Sequence, residues 1–143
     1  MTTVPTVPPL RLHALRAVYL IMFAGLALTI WPLLLDFTPD LPVARSSLRS
    51  MLAAVSLLAL LGVRYPLKML PLMLFEIAWK TIWLALYAAR HVAAGPLDPV
   101  VAESIFACAL GVAFLFVVPW RYVYAQYVRQ PADSWRGAVT LAR

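Results

Sequence analysis

Charge is what this sequence has least of: Asp, Glu, Lys and Arg make up 13% of its 143 residues, and only six residues are acidic. A soluble domain is about a quarter charged and about half apolar, whereas this chain is 64% hydrophobic with a mean hydropathy of +0.86. Its polar residues are too few to cover its own surface, so lipid must be part of the solvent. Cysteine is nearly absent. Cys108 stands alone, which excludes an intramolecular disulfide and any Cys-only metal site. Within its apolar run it reads as a small buried hydrophobe. There is no His/Cys/Asp cluster at metal spacing, no P-loop and no Gly-rich nucleotide fingerprint, so neither metal nor cofactor is expected. Ser46 and Ser47 have no nearby His or acid to serve as a base, and nothing in the sequence argues for an enzyme.

What charge there is leans basic, with a net of +6 and a pI near 10.0. The basic residues are scattered between apolar runs and form no patch, which points to membrane topology and away from nucleic acid.

A spanning helix needs about 20 mostly apolar residues. Four stretches qualify, giving an all-α polytopic membrane protein with four transmembrane helices in an antiparallel bundle. The spans are expected at about 14–35, 43–63, 66–89 and 99–120. In the second, Arg45 and Arg49 must reach outward along their own stems. Pro66 and Pro71 are tolerated near the start of the third, and Asp98-Pro99 supplies an N-cap and first residue for the fourth. The proline-rich segment 1–13 is expected to be disordered, 14–130 to form the transmembrane domain, and 131–143 to be a short cytoplasmic tail. Cleavage of the first span as a signal peptide is not expected, because its apolar run is long and no small-x-small site follows it.

Arg11, Arg16, Arg64, Lys68, Arg121, Arg129, Arg136 and Arg143 fall on one side of this arrangement. Asp36, Asp40 and Asp98 fall on the other, with Arg45 and Arg90. The positive-inside rule then places both termini in the cytoplasm. His13 and His91 lie near opposite faces and cannot share a haem iron. Past Pro119, Trp120, Tyr124 and Tyr127 keep helical spacing and read as the fourth helix emerging into the headgroup region, with an aromatic and arginine anchor.

The third span carries the one polar feature. At 100° per residue, Glu76, Lys80, Trp83 and Tyr87 fall within about 60° of one another, with Met69 and Met73 extending the stripe one way and Arg90 and His91 the other. Leu74, Ile82, Leu86 and Ala89 form the opposite, lipid-like face. A lone charge at mid-membrane costs about 3 kcal/mol on insertion scales, and Glu followed by Lys at i+4 is the favoured order for an ion pair. Glu103 lies about 6 Å inside the outer end of the fourth helix and Lys80 about 13 Å inside that of the third, so a stepped network of Glu76, Lys80 and Glu103 is expected. Ser104, Ala107, Cys108 and Gly111 give the fourth helix a small-residue face for close packing. Three readings of the charges stay open: a self-neutralising structural pair, a proton relay or ligand site, and a salt bridge to another protein's helix. Glu103 reads equally as an interfacial carboxylate. Trp79, Trp83 and Tyr87 read as packing and aromatic belt, or as a wall for a flat ligand such as a quinone.

Two stretches, GVRYPLKMLPLMLFEIAWKTIW and VVPWRYVYAQYVRQPADSWR, resemble an uncharacterised family of small four-span bacterial inner-membrane proteins. The resemblance runs from about Arg16 onward. It implies a bacterial origin and an inner-membrane address, and it brings no activity, ligand or site. DoxX-like four-span proteins share no convincing motif with the first span.

The expected function is that of a non-catalytic accessory or assembly module. Its partners would be the lipid bilayer and another membrane-protein subunit or further copies of itself. The alternative is a small-molecule or proton-linked carrier or binder, of a quinone, lipid or cation, using the intramembrane charges. Four short helices leave little room for an enclosed site, which favours the first.

Overall fold

The computed structural model describes residues 6–36 and 41–130, and the secondary structure of these residues is all helical. Four helices are long and apolar enough to cross a membrane: α1 (Pro9–Leu35), α2 (Val43–Arg64), α3 (Leu70–Ala94) and α4 (Pro99–Phe116). A fifth, α5 (Trp120–Tyr124), runs into a π-helical turn, Ala125–Arg129. Asp40, the segment 1–5 and the tail 131–143 with Arg136 and Arg143 lie outside the described residues.

The helix boundaries differ from expectation where proline decides them. α1 begins at Pro9 and not near Ala14, because proline fits the first helical turn, where its missing N–H costs nothing. Pro66 does not start α3. The segment 66–69 forms a turn, and Pro71 takes the first-turn position instead. α4 tightens into a 3-10 turn at Ala113–Phe116 and stops before Pro119, so α5 is a separate helix and not the continuation of the fourth span. The expected cap holds: Asp98 accepts a hydrogen bond from Val100 N–H at 2.8 Å ahead of Pro99. α3 runs on to Ala94 and ends at Gly95, whose φ of 127° belongs to a backbone conformation that disfavours every residue with a Cβ.

The largest interface is that of α1 with α2. On α2 the buried residues Ala53, Ser56, Ala59 and Gly62 recur every third position and leave a shallow seam. Leu15, Val18, Tyr19 and Met22 of α1 fill it. Small residues let two helix backbones approach closely, which is the main source of packing energy where lipid removes the hydrophobic drive. Tyr19 is fully buried, lies against Gly62 and donates to Pro66 C=O at 3.4 Å. Further along, Trp31 Nε1 donates to Ser56 Oγ at 3.2 Å, and Arg49 Nη1 donates to Leu33 C=O at 3.2 Å. That carbonyl belongs to the last turn of α1, which has no intrahelical donor and sits at the negative end of the helix dipole. Ser56→Ala would leave the Trp31 indole without its partner. It is expected to lower stability by about 0.6 kcal/mol, the typical worth of such a bond between membrane helices, read by denaturant titration in micelles.

α3 contributes Leu70, Leu72, Met73 and Ile77 to the same core, and Val118 plugs it from the break before α5. Large apolar side chains such as Leu28, Ile82, Phe106 and Leu110 point outward and are exposed, as a lipid-facing surface requires.

Candidate functional site

The polar stripe of α3 is only partly kept. Glu76 and Lys80 form an ion pair with side-chain exposures of 6% and 16%. Beyond Trp83 the helix widens into a π-helical turn, Leu84–Ala88, which sets back the rotation of everything that follows. Ala88 is therefore buried, while Tyr87 is exposed and leaves the stripe. Trp83 is half-buried, and Arg90 and His91 are exposed.

Glu103 does not join the pair. It is exposed, and no ion pair reaches it among the described residues. The reason is axial. Since α3 extends to Ala94, Lys80 lies about 21 Å from that end of its helix, well below the level of Glu103. What faces Lys80 on α4 is Gly111, about 12 Å further along the helix than Glu103. A Cβ at Gly111 would overlap Cδ and Cε of Lys80, so the absent side chain makes room for the lysine stem.

Around the pair, α1, α2, α3 and α4 leave a cleft of about 310 Å³. Its polar lining is Glu76, Lys80, Trp79 and Cys108, and its apolar walls include Met22, Leu52 and Phe114. The Lys80 ammonium lies 4.3 Å from the centroid of the Trp79 ring, a cation–π contact that supplements the carboxylate. One carboxylate oxygen of Glu76, Oε2, accepts from Lys80, while Oε1 is buried with no hydrogen-bond partner. An unmet buried acceptor costs about 1–3 kcal/mol, and more when charged. The terminal torsion of a glutamate is soft, so rotation exchanges the two oxygens and either one can be turned to a donor in the cleft.

No protein-family model, no curated protein and no solved structure matches the chain. The site must therefore be read from its own chemistry. Of the six residues nominated by sequence, Glu76, Trp79 and Lys80 line the cleft, while Trp83, Tyr87 and Glu103 do not. The walls from α1 and α2, Gly25 among them, escaped sequence reasoning. A glycine amid the bulky run of the first span was the available signal. Among the described residues no group of His, Cys, Asp and Glu is placed to hold a metal ion.

Proposed function

We propose that the protein is a non-catalytic binder or carrier of a small lipid-soluble molecule, held in the cleft beside Glu76 and Lys80. The observation that carries this reading is Glu76 Oε1, an acceptor without a donor in an otherwise apolar cleft. A carboxylate oxygen can only accept, so the ligand class is an apolar molecule bearing a hydroxyl or ammonium donor, such as a quinol, a lipid alcohol or a hydrophobic cation. The volume of about 310 Å³ lies at the small end of ligand sites and suits one compact headgroup.

In this reading the four helices are antiparallel neighbours in a bacterial inner membrane, with both chain ends on the cytoplasmic side. Support comes from the pairing of Tyr19 with Gly62 and of Arg49 with Leu33, and from the excess of basic residues beside the α2–α3 connection.

Cys108 provides the test, since it lines the cleft and is 7% exposed. N-ethylmaleimide, which is lipid-soluble, is expected to alkylate it slowly, because the thiolate is the reacting form and the cleft walls are apolar. Decyl-hydroquinone or decanol should slow the alkylation several-fold, and decane should not. Equal rates with all three additives would sink the reading.

A second reading, the accessory or assembly module, is favoured by Glu103. This carboxylate is exposed on α4 beside Phe106, and no ion pair is made to it among the described residues. A basic residue on a neighbouring subunit's helix would complete it.

A further inference from the structure

A second cleft, remote from Glu76 and Lys80, opens where α1 starts. It measures about 380 Å³ and is lined by Thr6, Val7, Pro8 and Arg11 on one side and by Pro119, Arg121 and Tyr122 on the other. The break at Pro119 creates it. Val118 is 1% exposed in the core and pins the chain there, and Tyr122 packs against the same core, so Arg121 is held on a fixed wall. We infer that this cleft binds the phosphate headgroup of an anionic phospholipid between the guanidinium groups of Arg11 and Arg121.

Three features carry the inference. Both arginines are exposed, and neither has a hydrogen-bond or ion-pair partner among the described residues. Two like charges thus line one cleft with no acid in its walls, an arrangement that an intervening anion relieves. Of the other cations at this end, Arg64 and Lys68 sit over the ring of Tyr65, at 5.5 and 5.6 Å, Arg129 sits over that of Tyr124, and Arg16 lines a separate groove with Arg64 and Lys68. Arginine forks match the oxygens of a phosphodiester, and Tyr122 adds a phenol donor. Finally, the exposed aromatics Trp120 and Tyr124 on α5 and Tyr127 in the π-helical turn after it flank the cleft's arginine, an amphipathic belt of the kind that sits at headgroup level. A lipid is therefore the favoured source of the phosphate, its acyl chains running down the apolar helix faces beside the cleft.

The inference does not depend on the inner cleft, and its test is separate. Native mass spectrometry of the whole protein in micelles would follow adducts during titration with phosphatidylglycerol, phosphatidylcholine or inorganic phosphate. Wild type should take up phosphatidylglycerol at least tenfold more tightly than phosphatidylcholine, and R11Q/R121Q should lose most of that preference. The control R45Q/R90Q, at the opposite end of the bundle, should keep it. Equal uptake of the two lipids by wild type would overturn the inference. So would undiminished preference in R11Q/R121Q, or a loss of equal size in the control. Inorganic phosphate competing as well as the lipid would assign the cleft to a soluble anion and overturn the lipid as its occupant.

Discussion

Replacing Glu76 alone with leucine is expected to destabilise the protein by about 3–5 kcal/mol, the usual result of stranding one member of a buried ion pair. Lys80→Leu should cost at least as much, because it leaves a 6%-exposed carboxylate with neither oxygen bonded, whereas Lys80 keeps the Trp79 ring as partial compensation. The double variant E76L/K80L should return to within about 1 kcal/mol of wild type, since well-packed apolar residues commonly replace a buried pair without loss. The couple is thus strongly non-additive, and unfolding of all four proteins in the same micelles reads it as a double-mutant cycle. Ligand binding separates the readings of the pair. A stable E76L/K80L protein that no longer takes up a donor-bearing molecule assigns the pair to the site. One that still takes it up leaves the pair a structural role.

Gly62→Ala is expected to be the most damaging conservative change at the α1–α2 interface, at about 1–3 kcal/mol. The added Cβ would come within 2.6–2.8 Å of three ring carbons of Tyr19. Tyr19 is fully buried between α1 and α2 and donates to Pro66 C=O, so the ring cannot turn aside without losing both packing and that bond. Tyr19→Leu in the Gly62→Ala background should recover part of the loss. Gly111→Ala makes a useful contrast. There the obstacle is the flexible stem of Lys80, so the stability cost should be smaller, while the ammonium is pushed away from Glu76. Equal thermal shifts for the two glycine variants would contradict this difference in rigidity.

The four apolar helices were legible in the sequence, because a 64% hydrophobic chain with four long, mostly apolar runs has few other ways to satisfy its backbone. The Glu76–Lys80 pair was legible too, since i+4 spacing is a local property of one helix. Longer-range geometry was not. A uniform 100° per residue carries the stripe through to Tyr87, but the π-helical turn at Leu84–Ala88 intervenes, and no sequence period announces it. Likewise the meeting of Lys80 with Glu103 depended on where α3 ends. Five residues beyond Ala89 shift the lysine by about 7 Å along the axis, enough to place it opposite Gly111. The cleft itself needs walls from α1 and α2. No periodicity within one helix announces which faces of two others will close around it.

The small size of the chain argued for a helper without a site of its own. Four helices with small residues at their contacts nevertheless leave room at one level, in a cleft that Gly25 and Gly111 line together with the ion pair. The measurement that tests this most directly is mass spectrometry of the organic extract of protein purified gently from its own membrane, with E76L/K80L treated in parallel. The account predicts one small, donor-bearing apolar molecule at near-equal molar amount in the wild-type extract and its depletion from the double variant. Extracts that cannot be told apart would contradict it.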